Sequence, residues 1–265
     1  MPAMCLILLA RDVHPRYRLI VAANRDEYYD RSTAPLAWWQ DHPEVLAGRD
    51  LRSGGTWMGI TRDGRFAAVT NYREPGGNDP GARSRGRLVL GFLTSDADAP
   101  RHLASLRAEQ DAYNGFSLVC GNAGGLCYCS NRSDRDPTAV VAGIHGVSNH
   151  LLNTPWPKVV RGKELLRAAL DESENVLVDR LLALLRDRSV PGDSELPDTG
   201  VGTERERVLA PIRIVSPEYG TRSAHVLLFD RTGVVTFVEQ SFDRGERRGG
   251  PVRVRFEVAS GCARP

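Results

Sequence analysis

The chain has no apolar run that approaches the roughly 20 residues a membrane-spanning helix needs, so no transmembrane segment is expected. It has little net charge. Its 35 Lys and Arg against 33 Asp and Glu leave +2, which gives no reason to expect nucleic acid or an anionic membrane as partner. It has few cysteines: five, odd in number and loosely spaced, which argues against a disulfide framework. Cys127-Tyr128-Cys129 is not a CxxC pair, and with no matching His or Cys pair nearby no metal site is expected there. These thiols, and Cys120 and Cys262, read as small buried apolar residues. There is no internal repeat and no linker, so 1–265 is read as a single domain. The excess of arginine over lysine reads as coding bias.

What is present is ordinary for a globular protein: 41% hydrophobic and 26% charged residues over 265 positions. That length suffices for a substantial core. Residues 5–10 are too short for a signal-peptide core and have no basic residue ahead of them. They read as a first core strand, and the protein as cytoplasmic.

Two apolar strands, around residues 4–10 and 17–23, flank a polar turn containing His14-Pro15. Centring a hairpin there puts Cys5 opposite about Asn24, at the head of Asn24-Arg25-Asp26-Glu27. A thiol, an amide, a guanidinium and carboxylates then gather at one end of one hairpin. Residues 28–50 read as a loop packed over the sheet. A second hairpin, 57–61 with 65–70, turns on the Asp63-Gly64 signal. It puts Thr56 opposite about Asn71. Gly54-Gly55 reads either as a tight turn or as backbone that approaches a ligand closely.

Further on, 88–94 and 101–113 carry helical apolar spacing, as do 156–170 and 176–188. Residues 116–120, 126–130, 224–229, 234–239 and 252–259 read as strands, with 71–87 and 191–203 as loops. Helices and antiparallel strands in separated blocks argue α+β. About nine strands and two helix pairs fit two sheets stacked between helix layers.

A cysteine near an N-terminus permits a particular chemistry. If nothing precedes it, its own α-amine, with a reference pKa near 8, serves as base for its thiol. Asparagine amides nearby would stabilise an oxyanion.

The segments Met4-Cys5, Asn24-Arg25-Asp26-Glu27, Ala47-Gly48-Arg49-Asp50, Gly54-Gly55-Thr56-Trp57, Thr70-Asn71-Tyr72-Arg73, Ser148-Asn149, Asn153-Thr154-Pro155-Trp156-Pro157-Lys158 and Tyr219-Gly220-Thr221-Arg222-Ser223 together resemble the NRDE family. That is the family of transport and Golgi organisation protein 2 and its bacterial relatives. The resemblance runs from Met4 to about Phe242. It implies the αββα fold of N-terminal nucleophile hydrolases, and, more remotely, a likeness to choloylglycine hydrolases and penicillin V acylases.

Carried over, it makes Cys5 the nucleophile, with Arg25 and Asp26 orienting it. Asn71 and Asn149 become oxyanion or intermediate-binding groups, and Arg222 a support for charge. Asn24, Gly54, Gly55 and Thr56 are expected to bind ligand. Family members usually begin Met-Cys, whereas Met1-Pro2-Ala3 stands ahead of Met4 here; while those residues persist, the Cys5 nitrogen is a peptide nitrogen.

Two functions stay open at this point. One is a cysteine amidohydrolase acting on linear non-peptide amides. The other is a haem or acyl-CoA/lipid binding and trafficking protein that reuses the pocket. No cofactor is required by either; haem enters as a ligand, with His145, His150 and His225 the imidazoles to consider. A structural partner of a secretion apparatus is a third reading, for which no interaction motif is seen.

Overall fold

A computed structural model of the chain describes residues 4–259 apart from Pro75 and Gly77. Met1-Pro2-Ala3 and Cys262 lie outside the described residues. In chain order the first strands are β1 (Met4–Arg11), β2 (Tyr17–Tyr28), β3 (Thr33–Trp38), β4 (Val45–Asp50), β5 (Met58–Thr61) and β6 (Phe66–Asn71). Helices α1 (Gly86–Leu93) and α2 (Ala99–Leu106) follow, then β7 (Phe116–Asn122), β8 (Gly125–Ser130), β9 (Thr138–Ala139) and β10 (Gly143–Val147). Helices α3 (Pro157–Leu170), α4 (Glu174–Leu184) and α5 (Thr203–Leu209) precede β11 (Tyr219–Asp230), β12 (Val234–Asp243), β13 (Glu246–Arg247) and β14 (Val252–Glu257).

The strands make two antiparallel sheets. The first runs β10-β1-β2-β11-β12-β13, with β14 also on β12; the second runs from β3 to β9 in sequence order. Strand β2 explains how they stack. Every residue from Leu19 to Glu27 is buried, so both of its faces are covered, and alternation sorts its side chains between them. Leu19, Val21 and Ala23 join Ile7, Leu9, Met58, Ile60 and Phe66 in a core between the sheets. Ile20 and Ala22 join Leu6, Leu8, Leu166, Leu177 and Leu181 in a core under α3 and α4. On the far side, α1 and α2 cover the second sheet through Leu88, Phe92, Leu103 and Phe116. The result is the expected four-layer αββα sandwich, an α+β fold.

Local signals start the helices. Pro157 opens α3, where its missing N–H costs nothing. Asp98 caps α2 by accepting the Arg101 N–H at 2.8 Å. No helix of the described residues is long and apolar enough to cross a membrane.

One expectation needs correction. Residues 28–50 are not a loop: they carry β3 and β4. Pro35 hid β3, since proline inside a run normally demotes a strand. Here β3 is an edge strand with an irregular register between Ala34 and Ala37, which is where proline is tolerated. After the apolar stretch 139–142 comes the glycine-containing β10. The short charged helix α5 lies just after the polar loop.

Helix α3 approaches β1 closely because Gly162 has no side chain. A Cβ there would lie 2.9 Å from both Leu8 Cδ atoms. Leu8→Ala is therefore expected to cost about 2–5 kcal/mol through the cavity it leaves, and Gly162→Val about 1–3 kcal/mol by overpacking. The double variant should lose less than the sum, since one change opens the space the other fills. Urea unfolding of the four proteins measures this, and strict additivity would contradict the contact.

Candidate functional site

The register of three strands builds the site. Cys5 stands opposite Arg25 on β2, and Ser223 of β11 stands opposite Arg25 on its other side. The expected partner of Cys5, Asn24, is thus off by one residue, and one residue reverses the face. Cys5 and Arg25 share the parity of the inter-sheet core, whereas Asn24 and Asp26 share the parity of the helix side. The second hairpin slips equally: Met58 stands opposite Ala68, which aligns Thr56 with Thr70 and not Asn71.

Cys5 and Arg25 open into a cavity of about 490 Å³ at the end of the sandwich, shared with Thr56, Trp57 and Asn71. Of the other expected residues, none lines it. Asn24 is fully buried, and its Nδ2 donates to the Leu185 and Ile212 carbonyls at 2.9 and 2.8 Å, fastening β2 to the helix layer. Gly54 adopts φ 74°, and a Cβ on Gly55 would lie 2.7 Å from the Gly86 carbonyl carbon. The glycine pair is therefore a tight turn whose backbone meets the start of α1, not a ligand cradle.

Asn149 is fully buried in a left-handed conformation, φ 54°, which asparagine tolerates. Its Nδ2 donates to the Asn71 carbonyl at 3.1 Å, and its own carbonyl accepts the Arg73 N–H at 2.8 Å. Beside it, the Ser148 hydroxyl donates to the Cys5 carbonyl at 3.0 Å. This pair pins the ends of β1 and β6 together. Arg222 directs Nη1 to the carbonyls of Tyr28, Tyr29 and Arg31 at 2.8–3.1 Å. It holds a turn in place and does not reach Cys5's cavity.

Asp26 lies behind the cavity on the helix side. Its Oδ1 accepts the Thr221 hydroxyl at 2.6 Å, while its buried Oδ2 has no hydrogen-bond partner among the described residues. The buried Nζ of Lys158, in the first turn of α3, is likewise unpartnered. Burial pushes the Asp26 carboxyl up, opposed by Lys158, Thr221 and Arg25. It pushes the Lys158 amine down, opposed chiefly by Asp26. Each favours the charged form of the other, against burial that disfavours both charges.

Burial also pushes the Cys5 thiol up to about 12, reinforced by the Asp26 charge and opposed by Arg25 and the Asp26 backbone N–H. Arg85, at the cavity wall, is lowered to about 10 by burial. It donates to the Gly115 carbonyl at 2.9 Å and pairs with no carboxylate among the described residues.

The imidazoles considered for haem are engaged. His145 bonds Val141 O and Asn153, and His150 bonds Tyr72 and Thr154. His225 bonds Ser223, and its Nδ1 is buried. No ring nitrogen of the three is both unpartnered and exposed among the described residues, so these residues do not fit haem ligation. Among the described residues no group of three or more His, Cys, Asp or Glu is arranged to hold a metal ion.

Sequence reading missed Lys158 and Arg85. Lys158 sits within a motif already singled out, but nothing local says that a lysine after Trp-Pro is buried. Arg85 lies in an arginine-dense loop, where burial cannot be read from composition.

Among solved structures the chain is similar to a conjugated bile acid hydrolase from Clostridium perfringens, with TM-score 0.48 and 8% identity over 95% of this chain and 92% of that one. It is also similar to a Caenorhabditis elegans N-acylethanolamine-hydrolyzing acid amidase orthologue, with TM-score 0.45 and 10% identity over 84% and 92%. In sequence it is 39% identical to the Bos taurus Transport and Golgi organization protein 2 homolog over 257 residues, 90% of this chain and 93% of the relative. The Homo sapiens homolog is 38% identical with the same coverage. The family profile described as Transport and Golgi organisation 2 matches residues 4–244, and the chain belongs to that family.

Proposed function

We propose that this protein is a cysteine amidohydrolase that cleaves linear non-peptide amides through an acyl-enzyme on Cys5. The observation that carries the reading is the placement of Asp26. It stands opposite Met4 on the neighbouring strand, buried, with Oδ2 unpartnered among the described residues. In a chain that begins at Cys5, a new α-amine appears beside that position, and a carboxylate with an unused oxygen would hold and orient it.

The chemistry then follows. The amine takes the thiol proton, and the thiolate attacks the amide carbon. Of the two asparagines considered for the oxyanion, only Asn71 lines the cavity; the Asn149 amide is committed to the Asn71 carbonyl. The amine returns its proton to the departing amine, and water hydrolyses the thioester to the acid, regenerating the thiol. Arg25 lowers the thiol's pKa and so favours the thiolate.

A second reading, binding and transfer of an acyl-CoA without turnover, is supported by Arg85. A partly buried guanidinium without a carboxylate among the described residues is under-compensated, and an anionic ligand group would offset that cost.

One preparation beginning at Cys5 and one retaining Met1 distinguish the readings. Cleavage predicts that the first, but not the second, acquires one acyl group from an activated acyl amide by intact mass, and that Cys5→Ala abolishes this. Asp26→Asn should lower the rate at least tenfold. If a folded chain verified to start at Cys5 takes no acyl group, while acyl-CoA binds the Cys5→Ala protein at micromolar concentration, the carrier reading replaces it.

The raised thiol pKa gives a separate expectation. With Met4 in place, Cys5 should react with iodoacetamide at pH 7.5 about a thousand-fold or more slowly than a free cysteine, because the thiolate fraction falls about tenfold per unit of pKa. The rate should keep rising through pH 10, and a plateau near pH 8 in that chain would contradict the desolvated thiol.

A further inference from the structure

The same wall of the cavity carries a second set of reactive groups that the cysteine chemistry does not use. Ser223 and His225 lie two residues apart on β11, and Glu239 of β12 stands directly opposite His225. All three line the cavity. Ser223 Oγ is 2.8 Å from His225 Nε2, and His225 Nδ1 is 3.9 Å from Glu239 Oε2 with no hydrogen-bond partner among the described residues.

Each member is held. Glu239 Oε2 accepts the Leu36 N–H at 3.1 Å, and Oε1 accepts the Ser241 hydroxyl at 2.9 Å. Gly48 leaves room for the carboxylate, since a Cβ there would lie 3.2 Å from Oε2. The imidazole packs edge-on to Trp57 at 5.2 Å and against Phe237 at 5.9 Å. Arg25, opposite Ser223, separates this row from Cys5.

We propose that Ser223, His225 and Glu239 form a second acyl-accepting site, in which Ser223 is the nucleophile for activated esters and acts without Cys5. The order hydroxyl, imidazole, carboxylate is the arrangement that activates serine, and it is recognised by geometry and not by chain order. A neutral imidazole that accepts the Ser223 hydroxyl at Nε2 carries its hydrogen on Nδ1, the nitrogen that faces Glu239. When Oγ attacks the ester carbonyl, its proton passes to Nε2, and the Glu239 carboxyl, itself raised by burial, stands on the Nδ1 side where the imidazolium charge develops. That proton then leaves with the alcohol. Water attacks the acyl-serine, gives its proton to Nε2 and releases the acid, and the proton returns to Oγ. The loose Nδ1–Oε2 spacing is of the kind that tightens only as charge develops.

Burial, with a smaller contribution from Arg25, holds His225 low, at about 3. A base that weak suits good leaving groups. The substrate class is therefore an activated acyl ester such as an aryl ester, not the amide assigned to Cys5.

The test uses full-length Cys5→Ala protein and a fluorophosphonate probe, with the site of the adduct mapped by peptide mass. The expected result is one adduct on Ser223. It should be absent from Cys5→Ala/Ser223→Ala and at least tenfold slower in Cys5→Ala/Glu239→Gln, with p-nitrophenyl acetate hydrolysis falling in parallel. Ser223→Ala removes one hydroxyl, and a thermal melt confirms that the fold persists. A folded Cys5→Ala protein that gains no adduct on Ser223, or whose labelling is unchanged by Ser223→Ala, overturns the proposal. Because Cys5 is already absent, either result leaves the amidohydrolase reading to stand or fall on its own experiment.

Discussion

Register between β1, β2 and β11 is the constraint on which the rest depends. These strands are covered on both faces, so each side chain has a fixed destination, either the inter-sheet core or the helix layer. A slip by one residue would send Leu6 and Leu8 inward and bury Cys5 and Arg25 under α3. Packing of ordinary aliphatic residues, each worth about 1.5–3 kcal/mol when fully buried, therefore decides which polar groups face the cavity. The row Cys5, Arg25, Ser223 at the cavity is a by-product of a register that hydrophobic residues determine.

Much of this was legible in the sequence, and its limits have physical causes. Alternation and the Asp-Gly turn revealed the hairpins, and three-and-four spacing revealed α3 and α4. Register was read one residue off in both hairpins, because turn arithmetic cannot resolve the geometry of the loop between them. For Cys5 that error exchanges Arg25 for Asn24, so a side chain that anchors helices was taken for a ligand contact. Strand β3 escaped notice because Pro35 is acceptable only at an edge, and edges are decided by strands elsewhere in the chain. Asn149 and Arg222 were located as candidates from short motifs. What their side chains contact depends on partners 78 to 194 residues away, which no local pattern records.

Desolvation acts on the site in opposite ways. It holds the Cys5 thiol protonated and His225 neutral. It also leaves Asp26 Oδ2 and Lys158 Nζ buried without hydrogen-bond partners among the described residues. The first effect keeps the thiol at rest.

The bulge at Arg222 has a consequence of its own. Thr221 pairs with Asp26 and Ser223 with Arg25, so Arg222 is the extra residue between them. In a regular strand Thr221 and Ser223 would point the same way. Because of the insertion, Thr221 reaches Asp26 on the helix side while Ser223 faces the cavity. Position 222 therefore works as a phase shifter. Its side chain can vary within the limits of the turn it supports, but its presence in the count cannot. Evolution in this strand should tolerate replacement there far better than deletion, since losing one residue would move a hydroxyl from one compartment of the protein to the other.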